Sequence, residues 1–210
     1  MQAVIAAAAT ERDRLLLRVL WATGARISEV LALRPLDVRR HSLVLPNRKN
    51  PNRPTKAVFL PAGQADLPGA LLLWAREHDL PDHAPLFISR KRGADGGLRP
   101  ISRQQAGEIV RAASERADVR VLALREPRYG PGGEPAPVHP HLFRHARVRQ
   151  LVRTTKNLPI VQKQAGWSRL QLAYLSVSDD EVRDAIAQGA PGGQRLKLRK
   201  ALVPTCIDVR

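Results

Sequence analysis

The chain has 210 residues, with 35 Lys and Arg against 19 Asp and Glu and a net charge of +16; a surplus of that size attracts polyanions through counterion release and points to DNA or RNA ahead of an acidic membrane surface. At 43% hydrophobic, 26% charged and 4% aromatic residues, it is an aliphatic-cored globular chain, one compact domain with a tail or two small ones, and not a disordered one. A single cysteine, Cys206, excludes an internal disulfide, no Cys/His cluster stands at zinc-ligand spacing, and no stretch approaches the roughly 20 apolar residues that span a bilayer.

The apolar start lacks a basic segment and runs directly into Glu11-Arg12-Asp13-Arg14, unlike a signal peptide, so a cytoplasmic location is expected. From Glu11 to Leu33 apolar residues recur at helical spacing around a break at Thr23-Gly24-Ala25. Gly24 reads as a helix end and Ser28 as the cap of a second helix starting near Glu29, which leaves Arg26 at the break, able to point into a site. Ser42–Pro46 and Ala57–Pro61 read as two short strands, and the polar, Pro-containing run Asn47–Lys56 between them as a long basic hairpin tip. Residues 65–78 and 102–117 have amphipathic helical patterns, the second capped by Ser102. Residues 125–137, rich in Pro and Gly and containing Tyr129, read as an exposed loop. Helices are expected from His141 to about Val152, from Leu158 to Ala165 and from about Gln171 to Gln188, and a basic, flexible tail over residues 189–210.

Three segments distant in sequence carry polar residues that a core-building pattern does not need: Arg26 at its break, Lys49 on the hairpin tip, and His139-Pro-His-Leu-Phe-Arg-His145 leading into a helix. His141, Arg144 and His145 stand at i, i+3 and i+4 and so share one face of the first helical turn. Two imidazoles and a guanidinium on one turn suit a phosphodiester undergoing displacement. The arginine supplies paired donors to the non-bridging oxygens, and an imidazole moves protons near neutral pH.

Leu20-Trp-Ala-Thr-Gly-Ala-Arg26-Ile-Ser-Glu29-Val-Leu-Ala-Leu-Arg-Pro-Leu-Asp37 resembles the box around the first catalytic arginine of the tyrosine recombinases, the phage integrase family. Val138-His-Pro-His141-Leu-Phe-Arg144-His145 resembles the family's H-x-x-R-H box, Gln164-Ala-Gly166-Trp167 its Leu-Gly-His/Trp element, and the segment opening at Tyr174 the one that opens with the nucleophilic tyrosine. The four elements fall in family order over almost the whole chain. The resemblance implies a mainly α-helical catalytic domain over residues 1–188 with a small antiparallel sheet near residues 42–61. It further implies DNA cleavage and rejoining without metal, ATP or other cofactor. Arg26 and Arg144 would clamp the scissile phosphate, His141 would assist proton transfer, Trp167 would donate its indole N–H, and Tyr174 would attack phosphorus. His145 and Glu29 would support the site, Glu29 by orienting Arg26. The family's lysine, which protonates the leaving 5′-oxygen, matches Lys49 best by position, with Lys56 as the other candidate. Arg48, Arg53, Lys56 and Arg147 are expected to contact DNA.

Double-stranded DNA is the expected partner, with self-association into a tetramer on DNA and an accessory protein or clamp domain, and no membrane. The family's N-terminal clamp domain is expected to be absent, because the chain starts about where the catalytic domain does. Trp167 and Tyr174 stand seven positions apart, a shorter step than the family usually has. A recombinase-derived DNA-binding protein that no longer cleaves is therefore the main alternative. A basic RNA-binding protein of ribosomal type accounts for the charge but not for the four boxes.

Overall fold

The computed structural model describes residues 1–47, 54–93, 96–122 and 135–166. It begins with a short helix α1 (Gln2–Ala6) and the central helix α2 (Glu11–Thr23). Thr10 caps α2 by accepting the Asp13 N–H at 3.2 Å, and Gly24 stops it in the left-handed region at φ 60°, where a residue without Cβ carries no steric penalty. Leu15, Leu16, Leu17, Val19, Leu20 and Ala22 are all buried, so α2 is wrapped on nearly every side and serves as the axis of the core. It packs against α1, against α4 (Leu67–Glu77) and against α6 (Pro140–Thr155).

The second helix of the first box, α3 (Ile27–Val30), starts two residues before the expected point and is capped by Arg26, not Ser28. The reason is Glu29. Its carboxylate accepts the Arg26 backbone N–H at 3.1 Å, half of a capping box in which the arginine has no acceptor to return.

Strands β1 (Ser42–Pro46) and β2 (Thr55–Phe59) pair antiparallel, from Ser42 opposite Phe59 to Pro46 opposite Thr55. The second strand thus begins and ends two residues earlier than its sequence suggests. Leu43, Leu45 and Val58 point into the core. On β2, Thr55, Ala57 and Phe59 are exposed while Lys56 and Val58 face inward, the alternation that a pleated strand imposes.

Helix α5 (Arg103–Arg116) begins as its sequence indicates. Ser102 accepts the Gln105 N–H and Gln105 returns a bond to the Ser102 N–H, both at 3.0 Å. A second two-stranded sheet, β3 (Arg120–Leu122) with β4 (Pro135–Pro137), forms where only loop was expected at residues 135–137. Buried Ser114 of α5 then accepts the Val138 N–H at 2.8 Å and fixes the approach to α6. Pro140 occupies the first turn of α6, where its missing N–H costs nothing. After a left-handed Lys156, Asn157 caps α7 (Leu158–Ala165), which Gly166 ends at φ 68°. Val148 of α6 packs on Val161 and Ala165 of α7 as a satellite of the main core. The fold is mainly helical with small antiparallel sheets, as expected, although there are two such sheets among the described residues, not one. No helix among those residues is long and apolar enough to cross a membrane. The expected helix near residues 171–188 and the basic tail lie outside the described residues.

Candidate active site

Arg26 leaves the break between α2 and α3 and donates from Nη1 to Glu29 Oε1 at 2.9 Å. The other carboxylate oxygen, Oε2, receives Lys56 Nζ at 2.8 Å from the inward face of β2. Lys56 also donates to the Ala165 carbonyl at the end of α7, at 3.2 Å. The same carbonyl accepts Arg144 Nη2 at 3.2 Å, while Arg144 Nη1 reaches the Gly24 carbonyl at 2.8 Å. A continuous path of polar contacts therefore runs Arg26, Glu29, Lys56, Ala165, Arg144, joining residues separated by more than a hundred positions. Two cations share one carboxylate and a third, Arg144, joins them through the Ala165 carbonyl, a local excess of positive charge held by backbone and side chain together.

Each group is set by its surroundings. Burial alone would raise the Glu29 carboxyl, but the Lys56 charge and the hydrogen bonds from Lys56 and Arg26 outweigh it and hold the group below its ordinary range. Burial lowers the Lys56 ammonium, against the pull of Glu29 and with further repulsion from Arg144 and Arg26. Lys56 is therefore a charged group whose proton is held less firmly than that of a surface lysine.

The three histidines line the start of α6. The His139 and His141 rings stack with centroids 6.5 Å apart, and His141 meets His145 edge-on at 4.4 Å. Burial, followed by the positive charge of His141, His139, Arg144 and Arg149, lowers His145 to about 4. It is thus neutral at pH 7, so it can take part in hydrogen bonding at that pH without adding charge.

Two expected DNA contacts are placed differently. Lys56 lies within β2 and not on the hairpin tip, its side chain 7% exposed. Arg147 is 7% exposed, because its stem packs on Gly24, where a Cβ would stand 3.1 Å from Arg147 Cγ. Its Nη1 donates to Gln150 at 2.8 Å, and its buried Nε has no partner. Neither side chain is presented to solvent as a phosphate contact would be. Lys49, Arg48, Arg53, Trp167, Tyr174 and Tyr129 lie outside the described residues.

The model of the phage integrase family matches residues 1–178 of this chain. The chain belongs to the phage integrase family. Among curated relatives of this integrase-family chain, transposase A from transposon Tn554 of Staphylococcus aureus is 25% identical over 193 residues, covering 86% of this chain and 48% of the transposase. Tyrosine recombinase XerD of Bifidobacterium longum is 29% identical over 166 residues, 74% of this chain and 46% of XerD. The chain thus spans about half the length of the curated relatives it matches. The solved structure of the XerH site-specific recombinase bound to its difH substrate in a pre-cleavage complex superposes with a TM-score of 0.61 at 20% identity, over 89% of this chain and 51% of that one. At that identity the likeness establishes the fold.

Sequence reasoning missed the shared use of Glu29, the anchoring of two cations on the Ala165 carbonyl, and Gln164. The Gln164 amide accepts the Phe59 N–H at 3.2 Å and donates to the Phe59 carbonyl at 2.6 Å. A single charged residue between Thr55 and Ala57, as Lys56 is, carried no signal of burial until the strand register was known. For Gln164, no local pattern announces a partner more than a hundred residues away.

Proposed function

We propose that this integrase-family chain cleaves and rejoins DNA strands by transesterification through Tyr174. The observation that carries the reading is that Arg26 and Arg144, distant in sequence, are joined in one cationic cluster through Glu29, Lys56 and the Ala165 carbonyl. A phosphodiester acquiring charge in a pentacoordinate transition state is stabilised by preorganised donors of this kind. The relatives named as tyrosine recombinases and a transposase support the same chemistry.

In this reaction the Tyr174 phenolic oxygen bonds to phosphorus as the bond from phosphorus to the 5′-oxygen breaks. The phenol proton passes to His141, and Lys49 gives a proton to the leaving oxygen. The products are a 3′-phosphotyrosyl ester and a 5′-hydroxyl, and the proton taken by His141 matches the one given by Lys49. The new ester retains the phosphodiester energy, so attack by a second 5′-hydroxyl rejoins a strand and releases the tyrosine without ATP or metal. Trp167 donates its indole N–H to a phosphate oxygen, and His145 and Glu29 support the two arginines. Arg48 and Arg53 contact the DNA backbone. Partners are double-stranded DNA, further copies of the chain in a tetramer and an accessory or clamp module. Action on DNA places the protein in the cytoplasm, at the nucleoid if bacterial.

Covalent trapping tests the reading. The protein is incubated in EDTA with supercoiled plasmid carrying the DNA that flanks its gene and is quenched with detergent. A protein–DNA adduct present in wild type and in Tyr129→Phe but lost in Tyr174→Phe is expected. Salt-sensitive DNA binding with no adduct in any protein would instead mark a recombinase-derived binding protein.

A further inference from the structure

We infer that Lys56 is a positioning residue of this site, which ties α3 to the end of α7 and so fixes both arginines and the departure of the chain toward Tyr174. The inference rests on the strand-transfer reading above. Three observations carry it. Lys56 occupies an inward position on β2, opposite Leu45, with its ammonium drawn between Glu29 and the Ala165 carbonyl and its side chain 7% exposed. The carbonyls of the last helical turn have no partner within their own helix and carry partial negative charge, and the Ala165 carbonyl is the one that Lys56 and Arg144 share. The turn that follows is shaped around the lysine: a Cβ on Gly166 would stand 2.6 Å from Lys56 Cδ and 2.9 Å from Nζ.

Removing the ammonium takes from Glu29 one of its two cations and from Ala165 one of its two donors. Arg26 and Arg144 then lose their common reference, at a residue two positions before Trp167 and nine before Tyr174. A displacement of about 1 Å in a reacting constellation costs on the order of 100-fold in rate. Lys56 would act in this way without touching DNA or giving up a proton, which distinguishes it from the surface contact and from the proton donor that the sequence also allowed.

The test compares wild type, Lys56→Met, Gly166→Ala and Lys49→Met. Gly166→Ala displaces Lys56 without removing its charge and gives a second route should Lys56→Met fail to fold. The wild-type adduct on plasmid carrying the flanking DNA is first mapped to a phosphate, and a duplex is then made with sulfur in the 5′-bridging position of that phosphate. A thiolate leaves without protonation, so this duplex restores a variant that lacks the proton donor and not one whose site is misplaced. For Lys56→Met and Gly166→Ala we expect adduct formation at saturating DNA to fall about 100-fold, with no recovery on the sulfur duplex. DNA affinity and its salt slope should stay unchanged, where loss of a phosphate contact would lower the slope by about 0.9. Lys49→Met should recover on the sulfur duplex. Recovery of Lys56→Met on that duplex, a reduced salt slope, or an unchanged adduct rate would each overturn the inference while leaving strand transfer intact. Absence of any wild-type adduct would overturn the strand-transfer reading and the inference with it.

Discussion

Replacing Glu29 by Gln keeps the shape of the side chain and removes the one negative charge among Arg26, Lys56 and Arg144. Glu29 is fully buried and Lys56 nearly so, with side chains 0% and 7% exposed, so solvent screening discounts little of their attraction. Breaking one side of a buried pair costs about 3–5 kcal/mol. An independent ceiling comes from Lys56 itself, which can escape the penalty by releasing its proton. Neutral pH lies 3.5 units below the ordinary lysine value of 10.5, and at 1.36 kcal/mol per unit that release costs about 4.8 kcal/mol. The two figures agree, so a loss of 3–5 kcal/mol at pH 7 is expected.

The sign with pH follows from linkage. In the variant, the folded state favours neutral Lys56 while the unfolded chain keeps the ordinary value, so the unfolded state binds more protons and stability rises with pH. In wild type, the Glu29 charge keeps the proton on Lys56 and the rise is smaller. The gap between the two proteins should therefore narrow by up to about 1.4 kcal/mol per pH unit between pH 7 and 10. Urea unfolding at pH 7, 8, 9 and 10 measures it directly. A loss under about 1 kcal/mol at pH 7, the worth of an exposed pair, or a gap that does not close with pH, would refute the account of a buried carboxylate holding Lys56 charged.

Gly24→Ala places a Cβ at φ 60° against Arg147 Cγ; the left-handed conformation alone costs about 1–2 kcal/mol, and thermal unfolding should show a lowered midpoint. Because His145 titrates near 4 in the folded state against 6.5 unfolded, its contribution is lost as pH falls from 6.5 toward 4. His145→Gln should flatten the stability profile across that window, and the imidazole signals of wild type should show His145 still neutral at pH 5.5. Gln164→Ala leaves the Phe59 N–H and carbonyl to water, at a cost of about 1 kcal/mol or less. It also opens the edge of β2, so light scattering at high concentration should detect more self-association than in wild type.

The sequence was legible wherever structure is decided locally. The Ser102 capping box, the apolar period of α2 and its glycine stop, and the limits of α7 all depend on residues within one or two turns of each other. It was misleading where a distant or non-obvious partner decides. Ser28 is the better cap by propensity, yet Arg26 takes the position because a carboxylate one turn later accepts its N–H. β2 begins early because Thr55 and Lys56 pair with Pro46 and Leu45, and the apolar stem of Lys56 tolerates an inward position once Glu29 awaits its head. Pro135 and Pro137 argued for a loop, but proline is accepted on short edge strands such as β4. The site followed the same division. The spacing of His141, Arg144 and His145 on one turn could be read from sequence, whereas the burial of Arg147 against Gly24 required the packing of α6 on α2.

The bond pattern of Phe59 has a mechanical reading. Phe59 stands opposite Ser42, and its own N–H and carbonyl meet the Gln164 amide, which supplies one rung of a third strand. Lys56 adds a bond to Ala165 and a close approach to Gly166 on the same side. β2 and α7 are thus stitched at both ends of a five-residue strand, too many points for either to swing separately. The seam therefore couples β2 to α7, so that a displacement of one is carried to the other.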